Sequence, residues 1–398
     1  MKNLPSAIIL ILLALVVALS VLYWQALQLK VTAQQQGTFP TERLINLQQI
    51  NLTSSIPGLA QHTDANLTDS WGLEFGDPGR IWVNAQSGYS IVYNGTGAVV
   101  VSNSILDHIG TPTALRVVVP GAPQVSGPAP LTGLVFIPGH TINGAFTGDA
   151  FIFVSEDGVI DGWHPLANGT DPLNATIEVN NYVNNNESGA VAVYKGVTAV
   201  DTPTGWMLYV ANFGQGQIDV YNTSFSPVNT TGKFVDPNMP SNFAPFNIYS
   251  NGGLLYVSYA KQSIDKQNDV KGLGNGYIDV FYDNGTLDKR LISGGYLNSP
   301  WGMAIAPSDY GTLSGDLLVG NFGDGHIDIY NPENGSYIGT VGNNGVALQI
   351  DGLWALTFGT NNGAGADNQL FFTAGSSAES QGIFGELYNP QVGQNEVQ

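Results

Sequence analysis

The 398-residue chain contains no cysteine, which excludes structural disulfides, thiolate nucleophiles and every Cys-based metal site. Basic residues are scarce: 12 Lys and Arg stand against 31 Asp and Glu, a formal charge of -19. A surface of that sign repels phosphate backbones, so nucleic acid is excluded as a partner. Charged residues of all kinds make up only 11% of the chain. Zinc-protease, nucleophile-elbow and phosphate-loop motifs are all missing, and the five histidines (His62, His108, His140, His164, His326) have no ligand spacing. What remains is a chain of 43% hydrophobic residues with 50 glycines. Such a composition suits many short strands joined by turns around a large core, and a core of that size dispenses with disulfides.

Charge is also absent from Ala7 to Trp24, and the next charged residue after Lys2 is Lys30. As a helix these 18 residues span about 27 Å, near the lower limit for crossing a bilayer. Tyr23 and Trp24 end the run, where interfacial aromatics belong. Residues 1–24 therefore read as an uncleaved membrane anchor. A signal peptide cut after Ala18-Leu19-Ser20 is the alternative. Lys2 favours a cytoplasmic N-terminus, which puts the rest outside the cell as a single-pass protein. Residues 25–43, Gln-rich with Gly37 and Pro40, read as a stalk. Ten Asn-x-Ser/Thr sequons follow the anchor, beginning at Asn51, Asn66, Asn94, Asn168, Asn174, Asn186, Asn222, Asn229, Asn284 and Asn334. Together with the anchor they point to an N-glycosylated surface protein; plain turn chemistry is the competing explanation.

A Gly-led strand ending in an aromatic residue recurs six times, beginning at Gly88, Gly158, Gly216, Gly276, Gly325 and Gly382. A short apolar strand precedes each copy (Ile81-Trp-Val83, Leu255-Tyr-Val257), and an opening strand precedes that (Trp71-Gly-Leu-Glu-Phe75, Trp301-Gly-Met-Ala304). A fourth strand follows a turn, as at Ala98–Val101, Ala175–Val179 and Tyr337–Thr340. Four strands repeated at intervals near 50–60 residues define a six-bladed, all-β propeller over residues 44–398. The sixth unit lacks a fourth strand. Residues 44–52 are expected to supply it by pairing with 382–388, which leaves no open sheet edge.

Pro57-Gly-Leu-Ala-Gln-His-Thr-Asp64, Asn242–Ile248, Leu297-Asn-Ser-Pro-Trp-Gly302 and Gly315–Gly325 resemble an uncharacterised family of secreted propellers, distantly like the NHL-repeat and gluconolactonase types. The likeness covers roughly residues 45–389 and implies the fold and an extracellular site, with no established reaction.

Propeller ligands bind at the channel mouth, where the loops entering the inner strands offer Asp69, Lys195, Asn247, Asn298 and Asp351. Turns between second and third strands add Asn84, Glu156, Asn212, Asn321 and Asp324. Gluconolactonase-like propellers hold a divalent ion in the channel; the resemblance implies calcium, with Asp69, Asn298 and Asp351 as a comparable oxygen set. Turn capping by the same Asn and Asp is the alternative. The Ile-Asp repeats at Asp219, Asp279 and Asp328 read as a structural device of the blades. The insertion Lys261–Gly276 reads as a solvated loop, or alternatively as a docking loop or cation site. With no catalytic signature, the leading function is a non-catalytic recognition or assembly module at the cell surface, with other surface proteins or glycans as partners. A metal-dependent lactonase is the second reading and a filament subunit the third.

Overall fold

A computed structural model describes residues 44–392 apart from 78, 107–111, 142–143, 166–171, 183–190 and 362–363. The anchor at 1–24, the stalk at 25–43 and the sequons Asn168 and Asn186 lie outside the described residues. The chain is an all-β, six-bladed propeller. Its inner strands are Ser70–Gly76, Leu131–Phe136, Tyr194–Thr202, Phe243–Asn251, Pro300–Ile305 and Leu353–Phe358, each followed outward by three further antiparallel strands. Among the described residues helix is confined to single turns, such as Ser376–Glu379, and none is long and apolar enough to cross a membrane.

The blades pack through fully buried aliphatic and aromatic side chains, for example Trp82 on Phe151 across the first two blades, with ring centroids 4.1 Å apart. Near the axis the inner strands approach more closely than side chains permit. A Cβ on Gly72 would strike Leu134 and the Thr132 carbonyl, and one on Gly302 would strike the Trp354 carbonyl. The repeated Gly at the third inner-strand position is thus a close-approach glycine.

The expected closing strand is split in two. Leu44–Asn46 runs parallel to Thr340–Gly342 of the fifth blade, whereas Gln48–Ser54 runs antiparallel to Ile383–Tyr388 of the sixth. Leu47 lies between them, fully buried, and its N–H donates to the Gly342 carbonyl at 2.9 Å. Burying Leu47 between the two blades turns one continuous strand into a strap that ties both.

The first blade also departs from expectation. Its fourth strand is Arg116–Val118, paired with Tyr89–Ile91, and not Ala98–Val101. Leu115, Val117 and Val119 are buried while Val101 is 54% exposed, so burial favours the later segment. Residues 101–106 pair instead with 112–114 in a separate two-stranded ribbon.

Candidate functional site: the two ends of the central channel

Each of the six inner strands carries a register irregularity in its opening residues: Ser70/Leu73, Leu131/Leu134, Tyr194/Gly196, Pro245/Asn247, Pro300/Gly302 and Leu353/Leu356. Bulges of this kind re-aim side chains. The residues they carry are Trp71, Thr132, Lys195, Phe246, Trp301 and Trp354, and five of these meet across the axis. Trp71 stacks on Trp354 with centroids 3.4 Å apart, and Phe322 stacks on the other side of Trp354 at 3.7 Å. Trp301 meets both tryptophans edge-on at about 6 Å, and its indole N–H donates to the Lys195 carbonyl at 3.2 Å. This mouth of the channel is closed by an aromatic plug.

Polar groups decorate the plug in partnered form. Asp69 is buried, and its two oxygens accept the indole N–H groups of Trp71 (2.9 Å) and Trp354 (3.1 Å). Burial pushes its carboxyl up to about 7, with Glu379 and Glu156 adding to the rise and the two indole bonds opposing it. The buried Lys195 ammonium pairs with Glu156 and lies 5.0 Å from the Trp71 ring centroid. Asn298 is buried too: its Oδ1 accepts the Gly272 N–H at 2.6 Å and its Nδ2 donates to Asp324 at 3.0 Å. Asn247 donates to the Trp301 carbonyl at 2.8 Å, and exposed Asp351 accepts the Ser377 N–H at 2.8 Å.

Of the five residues expected from sequence, Asp69 and Lys195 converge on Trp71. Asn247 lies deeper in the channel, Asn298 is tied to the neighbouring turn, and Asp351 sits on the rim. Among the described residues no group of three or more His, Asp or Glu is disposed to hold a metal. The oxygens of Asp69 and Asn298 face N–H donors, which does not fit a calcium ion.

The turn asparagines have structural partners as well. Asn84 donates to the Thr132 and Gly133 carbonyls of the next blade, and Asn212 donates to Asp219 at 2.7 Å. Asn321 donates to Asp328 at 2.8 Å, so Asp219 and Asp328 each brace the turn entering their own strand. Asp279 differs in binding Arg290, which also pairs with Asp236. The insertion Lys261–Gly276 folds back to the mouth. Gly272 reaches Asn298, Lys271 Nζ stands 3.8 Å from the Phe322 ring centroid, and Ile264 protrudes fully exposed.

Sequence reasoning missed the plug and Glu379, whose carboxyl feels Lys271 and Lys195. The recurrent aromatic residue opening the inner strands (Trp71, Phe246, Trp301, Trp354) was the available signal. It also missed the opposite side of the plug, where three residues further along every inner strand a second ring surrounds a cavity of about 260 Å³: Glu74, Val135, Thr198, Tyr249, Ala304 and Thr357. Burial pushes the Glu74 carboxyl up to about 7.

No protein-family model matches the chain. Sequence comparison finds Uncharacterized protein L690 of Acanthamoeba polyphaga mimivirus, 30% identical over 369 residues and spanning 89% of each protein. Uncharacterized protein R648 of the same virus is 29% identical over 368 residues, 89% of this chain and 83% of that one. Among solved structures, a streptogramin B lyase is similar with a TM-score of 0.45 at 13% identity, covering 86% of this chain and 96% of that one. The virginiamycin B lyase of Staphylococcus aureus gives 0.42 at 12%, covering 86% and 99%. Likeness of that degree carries no inference about chemistry.

Proposed function

Given that the chain belongs to the family of the mimivirus protein L690, we propose that it is a non-catalytic recognition module whose mouth-side face binds a partner macromolecule. One observation carries this reading: each polar group expected to do chemistry at the mouth already has a protein partner, from Asp69 on its two indoles to Lys195 on Glu156. A general base or nucleophile needs a free lone pair aimed at substrate, and a hydrolytic metal needs open oxygen ligands. Support for binding comes from the Lys261–Gly276 loop, whose Lys271 end reaches Phe322 of the plug and which exposes Ile264 to solvent.

In the same reading the module is displayed outside the cell, anchored by Ala7–Trp24 and glycosylated. Exposed Asn94, Asn284 and Asn334, and half-buried Asn222, support glycosylation sterically. Each uses Oδ1 in a tight turn, accepting the N–H two residues on.

The test is a lactone panel offered to the full-length protein with calcium, magnesium or manganese. No turnover is expected. Turnover abolished by Asp69→Asn or Lys195→Met would replace this function with hydrolysis. Membrane fractionation, and a mass shift on glycosidase treatment, test display separately.

A further inference from the structure

The cavity behind the plug holds one charged side chain. Of the six equivalent ring positions, five carry Val135, Thr198, Tyr249, Ala304 and Thr357, and only the first blade places a carboxyl there. The remaining wall is mixed: Val135, Ala304, Ile305 and the rings of Tyr249 and Phe358 supply its apolar part, beside threonine hydroxyls and backbone. Its other polar groups are occupied: Thr198 Oγ1 donates to Ser250 at 3.1 Å, Thr357 Oγ1 donates to the Leu73 carbonyl at 3.3 Å, and the Tyr249 hydroxyl oxygen accepts the Ile305 N–H at 3.3 Å. Glu74 Oε1 accepts the Phe75 N–H at 2.9 Å, while Oε2 has no partner among the described residues. The aromatic plug shuts one side, so access is from the opposite face, past the partly exposed Tyr249, Ile305 and Phe358.

We propose that this cavity is a binding site for a compact primary amine with an apolar body, its ammonium paired with Glu74 and its body against Val135, Ala304 and the Tyr249 ring. This goes beyond the recognition function and does not depend on it, because it uses the other end of the channel. Size sets the ligand class first. A cavity of about 260 Å³ takes a small molecule and not a polymer segment. Charge sets it second. An acid would meet a like charge, and a guanidinium would bring five N–H donors to a wall whose side chains offer three acceptors: Glu74 Oε2 and the hydroxyl lone pairs of Thr198 and Thr357. A primary ammonium brings three donors. Glu74 Oε2 takes one, and the hydroxyl oxygens of Thr198 and Thr357 still have lone pairs for the others.

The electrostatics agree. Without a counter-ion, burial holds the Glu74 carboxyl up to about 7, and Tyr249 is the only other titratable group lining the cavity. A bound cation favours the ionised carboxylate, so amine binding near neutral pH releases a proton.

Calorimetry on the full-length protein at about pH 8.5 tests the site, with phenethylamine as probe and phenethyl alcohol as its neutral counterpart. The amine is still protonated there, since aliphatic ammonium groups titrate near 10. The amine is expected to bind at least tenfold more tightly than the alcohol. Glu74→Gln should erase that preference while alcohol binding persists, which also shows that the pocket remains folded. Ala304→Phe, which fills the cavity from the fifth blade, should abolish both. Failure of the amine to bind, equal affinity for the two probes, an amine preference retained in Glu74→Gln, or undiminished binding in Ala304→Phe would each overturn the proposal.

Discussion

Trp71 and Trp354, 283 residues apart in sequence, stack face to face at 3.4 Å and share one carboxylate: Asp69 accepts an indole N–H from each. The first and last blades are thereby joined on the axis, at the point where a closed ring is under most entropic pressure to open.

Asp69→Asn isolates this bond. Asn tolerates the positive φ of 39° that position 69 adopts, so the backbone is kept. An amide NH₂ then faces one of the two indole N–H groups, leaving a buried donor unpaired. The expected loss is about 1–3 kcal/mol, read from the denaturant midpoint. Unchanged stability would mean that the shared carboxylate does not fasten the plug.

Stability should fall as pH rises. Burial pushes the folded-state carboxyls of Asp69, Glu74, Asp279 and Asp328 up to about 7 and that of Asp161 up to about 9. Because these values lie above the unfolded ones, the folded chain binds more protons between them. The stabilising contribution is complete below about pH 4 and is lost as pH climbs through about 7, then 9 for Asp161. The melting temperature should be higher at pH 5 than at pH 8.5; the reverse order would contradict these assignments.

Asp161 is the extreme case, with both oxygens buried in the second blade and without a partner among the described residues. Substituting Asn removes the charge but not the polar group. Asp161→Asn should gain about 1–3 kcal/mol at pH 9 and much less at pH 5, since the unpaired charge exists only at the higher pH. Urea denaturation at the two pH values measures the difference. Equal effects would show that the group is not titrating.

Leu47 should behave as a core residue although it belongs to a strap. Leu47→Ala removes a fully buried side chain between the fifth and sixth blades and should cost about 2–5 kcal/mol. Ile45→Ala, at a half-buried neighbour, should cost visibly less. Similar costs would place the closing force in the backbone pairing and not in Leu47.

The turn at Ser377, Ala378 and Glu379 has φ of 54°, 53° and 64°, a left-handed arrangement that costs roughly 1–2 kcal/mol per non-glycine residue. The Asp351 carboxylate bonded to the Ser377 N–H helps hold it. Ala378→Gly should raise stability by about 0.5–1 kcal/mol, strain relief less the entropy of glycine. A loss instead would show that the backbone there is unstrained.

By itself, the sequence determined the fold. Blade number and strand order follow from a local rule: alternating apolar residues, a turn, and a Gly-led aromatic strand, written six times at Gly88, Gly158, Gly216, Gly276, Gly325 and Gly382. Each copy buries its face against the next, so repetition suffices to define the ring. Tertiary structure alone decided where Trp71, Lys195, Phe246, Trp301 and Trp354 point. Bulges at the inner-strand openings turn them onto the axis, and a bulge leaves no periodic mark in the residues. Structure also decided that Asp69 and Lys195 are partnered, because Trp354 and Glu156 reach them from other blades. Glu74 was in plain view after Trp71-Gly-Leu, yet a single acid among repeats reads as an exposed strand residue. Only closure of the six inner strands around it makes that position the wall of a channel, where its carboxyl is half-buried.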